Sequence, residues 1–177
     1  MSKSRIDLLE NTLKQIVDWL KFAEAKNGAL VALGCATIFG VLRLYSSTSI
    51  ESSFITSYVA SFTVFVAAAI VLSLTSFIPR LTPPFWIKMP KKEQADNPFF
   101  FGHACKYSKI KYLELFNSYT ESDSNKDSKL EVALCEQIVN NSRISFIKYR
   151  TFSAAVYLFL AGVLTPFGVL VLYWVRE

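Results

Sequence analysis

Apolar residues follow two different rules along this chain. In the first segment Ile6, Leu9, Leu13, Ile16, Val17 and Leu20 recur at steps of three and four, with Lys3, Asp7, Glu10, Lys14, Asp18 and Lys21 on the opposite side. That spacing predicts one amphipathic helix from Ser4 to Lys26, within an N-terminal region 1–27. Such a helix can lie at a membrane interface, form an oligomerising seam, or pack on the rest of its own chain. Beyond it the periodicity gives way to three windows almost without charge. They are Gly28 to Tyr45, with Arg43 its one cation, Ile55 to Ile78, and Ser153 to Trp174. A bilayer core of about 30 Å takes roughly 20 apolar helical residues, so the pattern predicts transmembrane helices over 28–45, 55–78 and 153–175. No proline separates the N-terminal helix from the first span, so the two are expected to run on.

Between the second and third spans, residues 79–152 return to a polar pattern and form an insert. Pro79, Pro83, Pro84 and Pro90 exclude regular helix at its start, and Phe85 and Trp86 suit the headgroup level, so this stretch reads as a linker along the inner interface. Two helices are expected after it. The first runs from His103 to Tyr119, with Tyr107, Ile110, Leu113 and Phe116 on one face. The second runs from Ser128 to Arg150 and opens with a capping box formed by Ser128 and Glu131. The fold class is therefore an all-α membrane protein with three spans, an amphipathic N-terminal helix and a helical insert.

Within the spans, small residues matter most for packing, because lipid supplies no hydrophobic force between helices. Gly28, Ala32, Ala36 and Gly40 recur every four residues and make a smooth stripe, available to another span of the same chain or to a second copy. Ser57 with Ser61, Ala60 with Ala68, and Ala161, Thr165 and Gly168 offer similar surfaces, and Pro166 is expected to bend the third span. Ser57, Ser61, Thr63, Ser73, Thr75 and Ser76 either line a crude aqueous path between copies or bond their own helix.

Composition agrees with this picture: 52% of the 177 residues are hydrophobic and 19% charged. Nineteen Lys and Arg against fourteen Asp and Glu give a net charge of +5. Five cations precede Gly28 and twelve lie between Pro79 and Phe152, while SSTSIESSF between the first two spans has none. The positive-inside rule then places the N-terminus and the insert in the cytoplasm of a multi-pass inner-membrane protein. No cleavable signal is read. Cys35, Cys105 and Cys135 have neither metal-ligand spacing nor a disulfide framework. His103 is the only histidine, and no phosphate loop, dinucleotide fingerprint or zinc motif occurs, so no enzyme activity, metal or cofactor is expected. The basic insert, with Lys106, Lys109, Lys111, Arg143 and Arg150, suits membrane lipids or, as the competing reading, nucleic acid.

Three blocks carry a resemblance: WLKFAEAKNGALVALG from Trp19, NPFFFGHACKYSKIKYLELF from Asn97, and EVALCEQIVNNSRISFIKYRTFSAAVYLFLAGV from Glu131. Together they resemble the Pycsar effector transmembrane domain family over nearly the entire chain, and the last block is the most specific. The matching positions are Ala23, Lys26, Asn97, Phe100, Phe101, Gly102, Gln137, Ile138, Asn141, Ser142, Ile144, Lys148 and Tyr149. Glu24 stands where that family has aspartate, and His103 replaces an acidic residue after the glycine. The resemblance implies a standalone bacterial antiphage effector, a toxin that causes abortive infection by damaging the inner membrane, as a homo-oligomer when active. No nucleotide-binding domain fits within the insert. The regulatory partner is then either a retron reverse transcriptase with its DNA or a separate cyclic-nucleotide sensor. Gln137, Asn141 and Lys148 share one helical face, and this polar ridge is expected to dock near Glu24 and Lys26, coupling insert to membrane. The plain alternatives are an inner-leaflet anchor built on Arg143, Lys148 and Arg150, and a non-toxic adaptor that recruits a soluble partner or lipid.

Overall fold

A computed structural model describes the backbone of residues 2–48, 52–78, 80–120 and 128–176, and the side chains of 5–48, 52–78, 80–120 and 128–165. Five helices appear among the described residues, and no strand. They are α1 (Ser2–Ser47), α2 (Ser53–Thr75), α3 (Phe101–Ala104), α4 (Lys109–Thr120) and α5 (Lys129–Arg176). Helices α1, α2 and α5 are long and apolar enough to cross a membrane. The polar turn expected between α4 and α5 lies largely outside the described residues and the packing of Gly168 outside the described side chains, while the backbone at Pro166 continues as helix. The chain divides into two compact units. One combines Met1–Glu24 with Pro79–Arg150, the other Ala25–Ile78 with Thr151–Glu177.

The first unit has a conventional apolar core. Leu9 and Ile16 of α1, Phe101 and Ala104 of α3, Tyr112, Leu113 and Phe116 of α4, and Cys135, Ile138 and Val139 of α5 form one buried cluster with Tyr107. The buried line of α1 runs Arg5, Leu9, Thr12, Ile16 and Ala23, so two polar residues share the face that the apolar spacing assigned to hydrophobes alone. Where one helix over 103–119 was expected, the chain breaks at residues 105–108. Tight backbone turns, Lys106 N–H to His103 O and Tyr107 N–H to Ala104 O, close α3. The break turns Tyr107 inward and leaves Ile110 half-exposed, so Ile110 does not share the buried face of Leu113 and Phe116.

The second unit is built on three-four seams. On α2 the buried residues are Val59, Phe62, Val66, Ala69 and Ser73, the spacing by which helices interlock at a shallow angle. On α1 the buried positions are Asn27, Leu30 and Gly34, and on α5 they are Thr151, Ala155 and Gly162. A methyl group at Gly34 would meet Ile70 Cγ1 at 2.7 Å and Val66 Cγ1 at 3.4 Å. One at Gly162 would meet Phe65 Cβ at 3.0 Å and Val66 Cγ2 at 3.5 Å. Val66 thus packs between two glycines from different helices, and α2 is the shared partner. Outward faces carry large apolar side chains, with Phe39 74% and Val64 67% exposed. Such surface is costly in water and ordinary in hydrocarbon.

Candidate functional site

Two ion pairs tie α1 to α5 within the first unit. Arg5 grips Glu131 with both ends of its guanidinium, Nε to Oε1 at 2.6 Å and Nη2 to Oε2 at 2.5 Å. Lys148 Nζ donates to Glu24 Oε1 at 2.5 Å. The partners lie nineteen residues apart on α1 and seventeen on α5, in the same order, so the helices run parallel here over ~26–28 Å. Glu131 has a second duty. It completes the capping box, accepting from Ser128 N–H at 2.7 Å while its own N–H donates to Ser128 Oγ at 3.2 Å. The Arg5 hydrogen bond, helped by Ser128 and opposed by burial, holds the Glu131 carboxyl below its ordinary value.

An aromatic triangle closes the Glu24 end. Trp19 lies 5.8 Å from Phe101 and 6.3 Å from Tyr149, and the Phe101 and Tyr149 rings stack at 5.2 Å. Beside it a methyl at Gly102 would meet the exposed Phe100 ring at 2.5 Å, so a side chain there would have to turn that ring.

A third polar centre is Asp96, which is fully buried. It accepts from Lys106 Nζ at 2.5 Å, Tyr107 OH at 2.9 Å and Glu93 N–H at 2.9 Å. Burial alone would raise its carboxyl, but these donors outweigh it and the carboxyl sits below its ordinary range. Burial and the bond to Asp96 push the Tyr107 hydroxyl up to about 12. Burial likewise pushes the Cys105 thiol up to about 11, against the pull of Lys106 and Arg143, which makes it an inert core thiol. His103 Nδ1 accepts the Asn97 N–H at 2.9 Å. A carboxylate oxygen could accept the same N–H, which reconciles a histidine with the acidic residue expected after the glycine.

The residues singled out from sequence separate into groups. Of the ridge, Lys148 reaches Glu24, whereas Gln137 is exposed, Asn141 half-buried, and neither makes any of the described side-chain hydrogen bonds. Lys26 belongs to the other unit, where its Nζ sits 5.7 Å from the Phe152 ring centroid. Among the cations assigned to lipid or nucleic acid, Lys106 is buried on Asp96 and Lys109 pairs with Glu136 at 3.0 Å. Arg143 donates to the Cys105 and Tyr107 carbonyls at 3.3 and 2.8 Å, capping the break after α3. Lys111 and Arg150 remain exposed. Along the small stripe, a methyl at Gly28 would meet Phe77 at 3.9 Å, Ala32 and Ala36 are exposed, and one at Gly40 would meet none of the described residues within 4 Å. Close packing inside the chain uses Gly34 and Gly162 instead.

Most hydroxyls of the second span bond their own helix: Ser57 to Ser53 O, Ser61 to Tyr58 O, Thr63 to Val59 O and Thr75 to Leu72 O. Ser73 and Ser76 are buried without a hydrogen-bond partner. Among the described residues no cluster of three metal-ligating side chains occurs. A groove lined by Asn11, Lys14, Gln15, Asp18, Trp19 and Phe22 follows one face of α1. All its residues come from a single helix, so it has no second wall from which catalytic groups could converge.

Arg5, Asp96, Trp19 and Gly34 were missed from sequence. Arg5 had a signal, because it stands in heptad register with Leu9, Thr12 and Ile16, but a cation on that face reads as solvated until a buried carboxylate meets it. Asp96 had none, lying in a proline-rich loop. In comparison with known proteins, residues 8–175 match the family model described as the Pycsar effector protein domain. No curated protein and no solved structure matches the chain.

Proposed function

The chain belongs to the Pycsar effector family, and from that premise we propose that it is an antiphage effector that damages the bacterial inner membrane when a defence partner releases it. The observation carrying this reading is the clamp. Arg5–Glu131 and Glu24–Lys148 pin together the portions of α1 and α5 that precede their apolar stretches, and each helix continues unbroken past the pinned portion. A partner that separates the pinned portions acts directly on the helices that supply two of the three spans.

The resting form suits a closed state. Among the described residues its buried seams are apolar apart from Asn27, Ser73 and Thr151, with Ser76 just past the end of α2, and none of these buried residues is charged. In this reading the N-terminus and the first unit face the cytoplasm, and the protein acts without enzymatic chemistry. The partner is a reverse transcriptase bound to its DNA or a cyclic-nucleotide sensor, and active copies assemble along the Gly28, Ala32, Ala36 and Gly40 stripe, of which Ala32, Ala36 and Gly40 are exposed. The adaptor reading draws on one observation, the half-exposed Trp19 and Phe22 on the outward face of α1, which a recruited protein would cover.

A membrane-potential dye separates the two. Induced expression together with the partner and its trigger should depolarise cells within the time of growth arrest. Full polarisation under every trigger, at normal membrane abundance, would leave the adaptor reading standing.

A further inference from the structure

Residues 80–92 present an exposed surface that combines large apolar side chains with cations. Phe85 is 94% exposed, Trp86 and Leu81 about half, and the Phe85 and Trp86 rings meet edge to face at 4.9 Å. The pair is held out deliberately by local structure. Ile87 N–H closes a turn onto Pro84 O at 2.9 Å, and the Ile87 side chain is buried, so the backbone beneath the rings is pinned. Around them Arg80, Lys88 and Lys91 are exposed and make no ion pair among the described residues. Lys92 is exposed too, with its Nζ 4.9 Å from the Tyr107 ring centroid. Glu93 is the one acid between residues 80 and 95, and nearby Asp96 is buried on its own donors.

We propose that this segment is a binding lip for anionic phospholipid, on the leaflet at which α2 ends. Phe85, Trp86 and Leu81 enter the boundary between headgroups and acyl chains, and Arg80, Lys88 and Lys91 meet lipid phosphates. Three observations favour lipid over other occupants. The charge is complementary and almost unopposed. Arg80 follows Thr75, the last residue of α2, by five positions, a reach of at most ~18 Å from the span's end. Pro83, Pro84 and Pro90 present no backbone N–H, so this non-helical stretch carries fewer donors that would need a partner in a water-poor boundary. The cations that the sequence pattern assigned to lipid are mostly bound elsewhere, and this lip replaces them. The proposal needs only the membrane location of the chain and is independent of whether the protein kills.

The test uses the full-length chain with Trp86 as its sole tryptophan (Trp19→Phe, Trp174→Phe). It is reconstituted with brominated acyl chains in vesicles of phosphatidylcholine, or of about three parts phosphatidylcholine to one of phosphatidylglycerol. Bromine should quench Trp86 several-fold more in the anionic vesicles, and Lys88→Gln should lower that preference about fivefold. Salt should erode it. Quenching by aqueous iodide alone, in both vesicles, would overturn the proposal. Quenching that follows the protein-to-lipid ratio and ignores lipid charge would also do so, and would make the occupant a second copy. Because Trp19 packs on Phe101 and Tyr149, the unaltered chain provides the control. Its amides from Phe85 to Lys88 should exchange hydrogen more slowly in anionic than in neutral nanodiscs, and equal exchange in the two removes the lip.

Discussion

The two units of this chain solve the same problem, holding helices in register, with opposite chemistry. In the first, register is set by charge: Arg5 on Glu131, Lys148 on Glu24 and Lys106 on Asp96, around an aromatic core. In the second it is set by the absence of side chain, at Gly34 and Gly162 against Val66. Burial drives apolar surfaces together in water, so polar pairs can be added there to specify which surfaces meet. Lipid tails are as apolar as the helices, so only close fit distinguishes one packing from another. Each unit should therefore fail under the perturbation that the other tolerates.

The largest effect is expected at Arg5. Replacing it with Ala strands a carboxylate that is 3% exposed, and breaking a buried pair from one side costs about 3–5 kcal/mol. Thermal unfolding of the first unit, followed by Trp19 fluorescence, should shift down while the helicity of α2 persists. Changing Arg5 and Glu131 together to Leu should recover most of the loss, since the pair confers specificity more than net stability. Next comes Gly34→Leu. A side chain there has to displace Ile70 and Val66, and overpacking costs about 1–3 kcal/mol. Disulfide trapping between cysteines introduced on α1 and α2 should lose its register, with the first unit unaffected.

Acid divides the units in the same way. Asp96 and Glu131 both have carboxyls held below their ordinary values in the folded chain. Their contribution is therefore complete above the ordinary carboxylate range near pH ~4 and is lost as pH falls through the lowered folded values. The second unit's stretches of sequence contain only two acids, Glu51 and Glu177. Hydrogen exchange in α4 should accelerate as pH drops below about 4, relative to the intrinsic rate, while exchange in α2 keeps its protection.

How much of this was legible in sequence follows the same division. Spans and helices announce themselves by composition and period, which are local properties, and the capping box at Ser128 and Glu131 needs only four residues. Long-range pairings do not. Nothing near Glu131 marks a partner 126 residues away, and Asp96 reads as a surface acid until Lys106 and Tyr107 fold over it. The small stripe shows a subtler limit. Gly28, Ala32, Ala36 and Gly40 have a better four-residue repeat than Gly34, yet Gly34 is the residue in close contact. Spacing identifies a smooth face; it does not say which neighbour is present to use it. Lys148 was found because family resemblance and helical phase agreed, whereas Gln137 and Asn141 share its phase but lie where no α1 side chain is described as bonding them.

A smaller effect is expected at Glu24. Its carboxylate is 45% exposed, so screening limits the pair to about 1 kcal/mol even though Lys148 is buried. Glu24→Gln should lower the stability of the first unit by no more than that, because the amide oxygen can still accept from Lys148 Nζ. The sensitive readout is release: if the clamp restrains the effector, this variant should depolarise cells at a lower dose of trigger.

Ala36→Leu should change the fold least of all, and for that reason it isolates assembly from folding. Ala36 lies two residues from Gly34, which turns it away from the α2 seam, and it is exposed. With Ala36 exposed among the described residues, a larger side chain there should leave the stability of the bundle within about 0.5 kcal/mol. If active copies pack along the exposed stripe, the same leucine blocks their close approach, and killing should be lost at unchanged membrane abundance. Killing that survives would assign the stripe to lipid and move assembly to another face. The pair Gly34→Leu and Ala36→Leu then reads the second unit from both sides: one substitution breaks the seam within a copy, and the other alters an exposed position of the same helix.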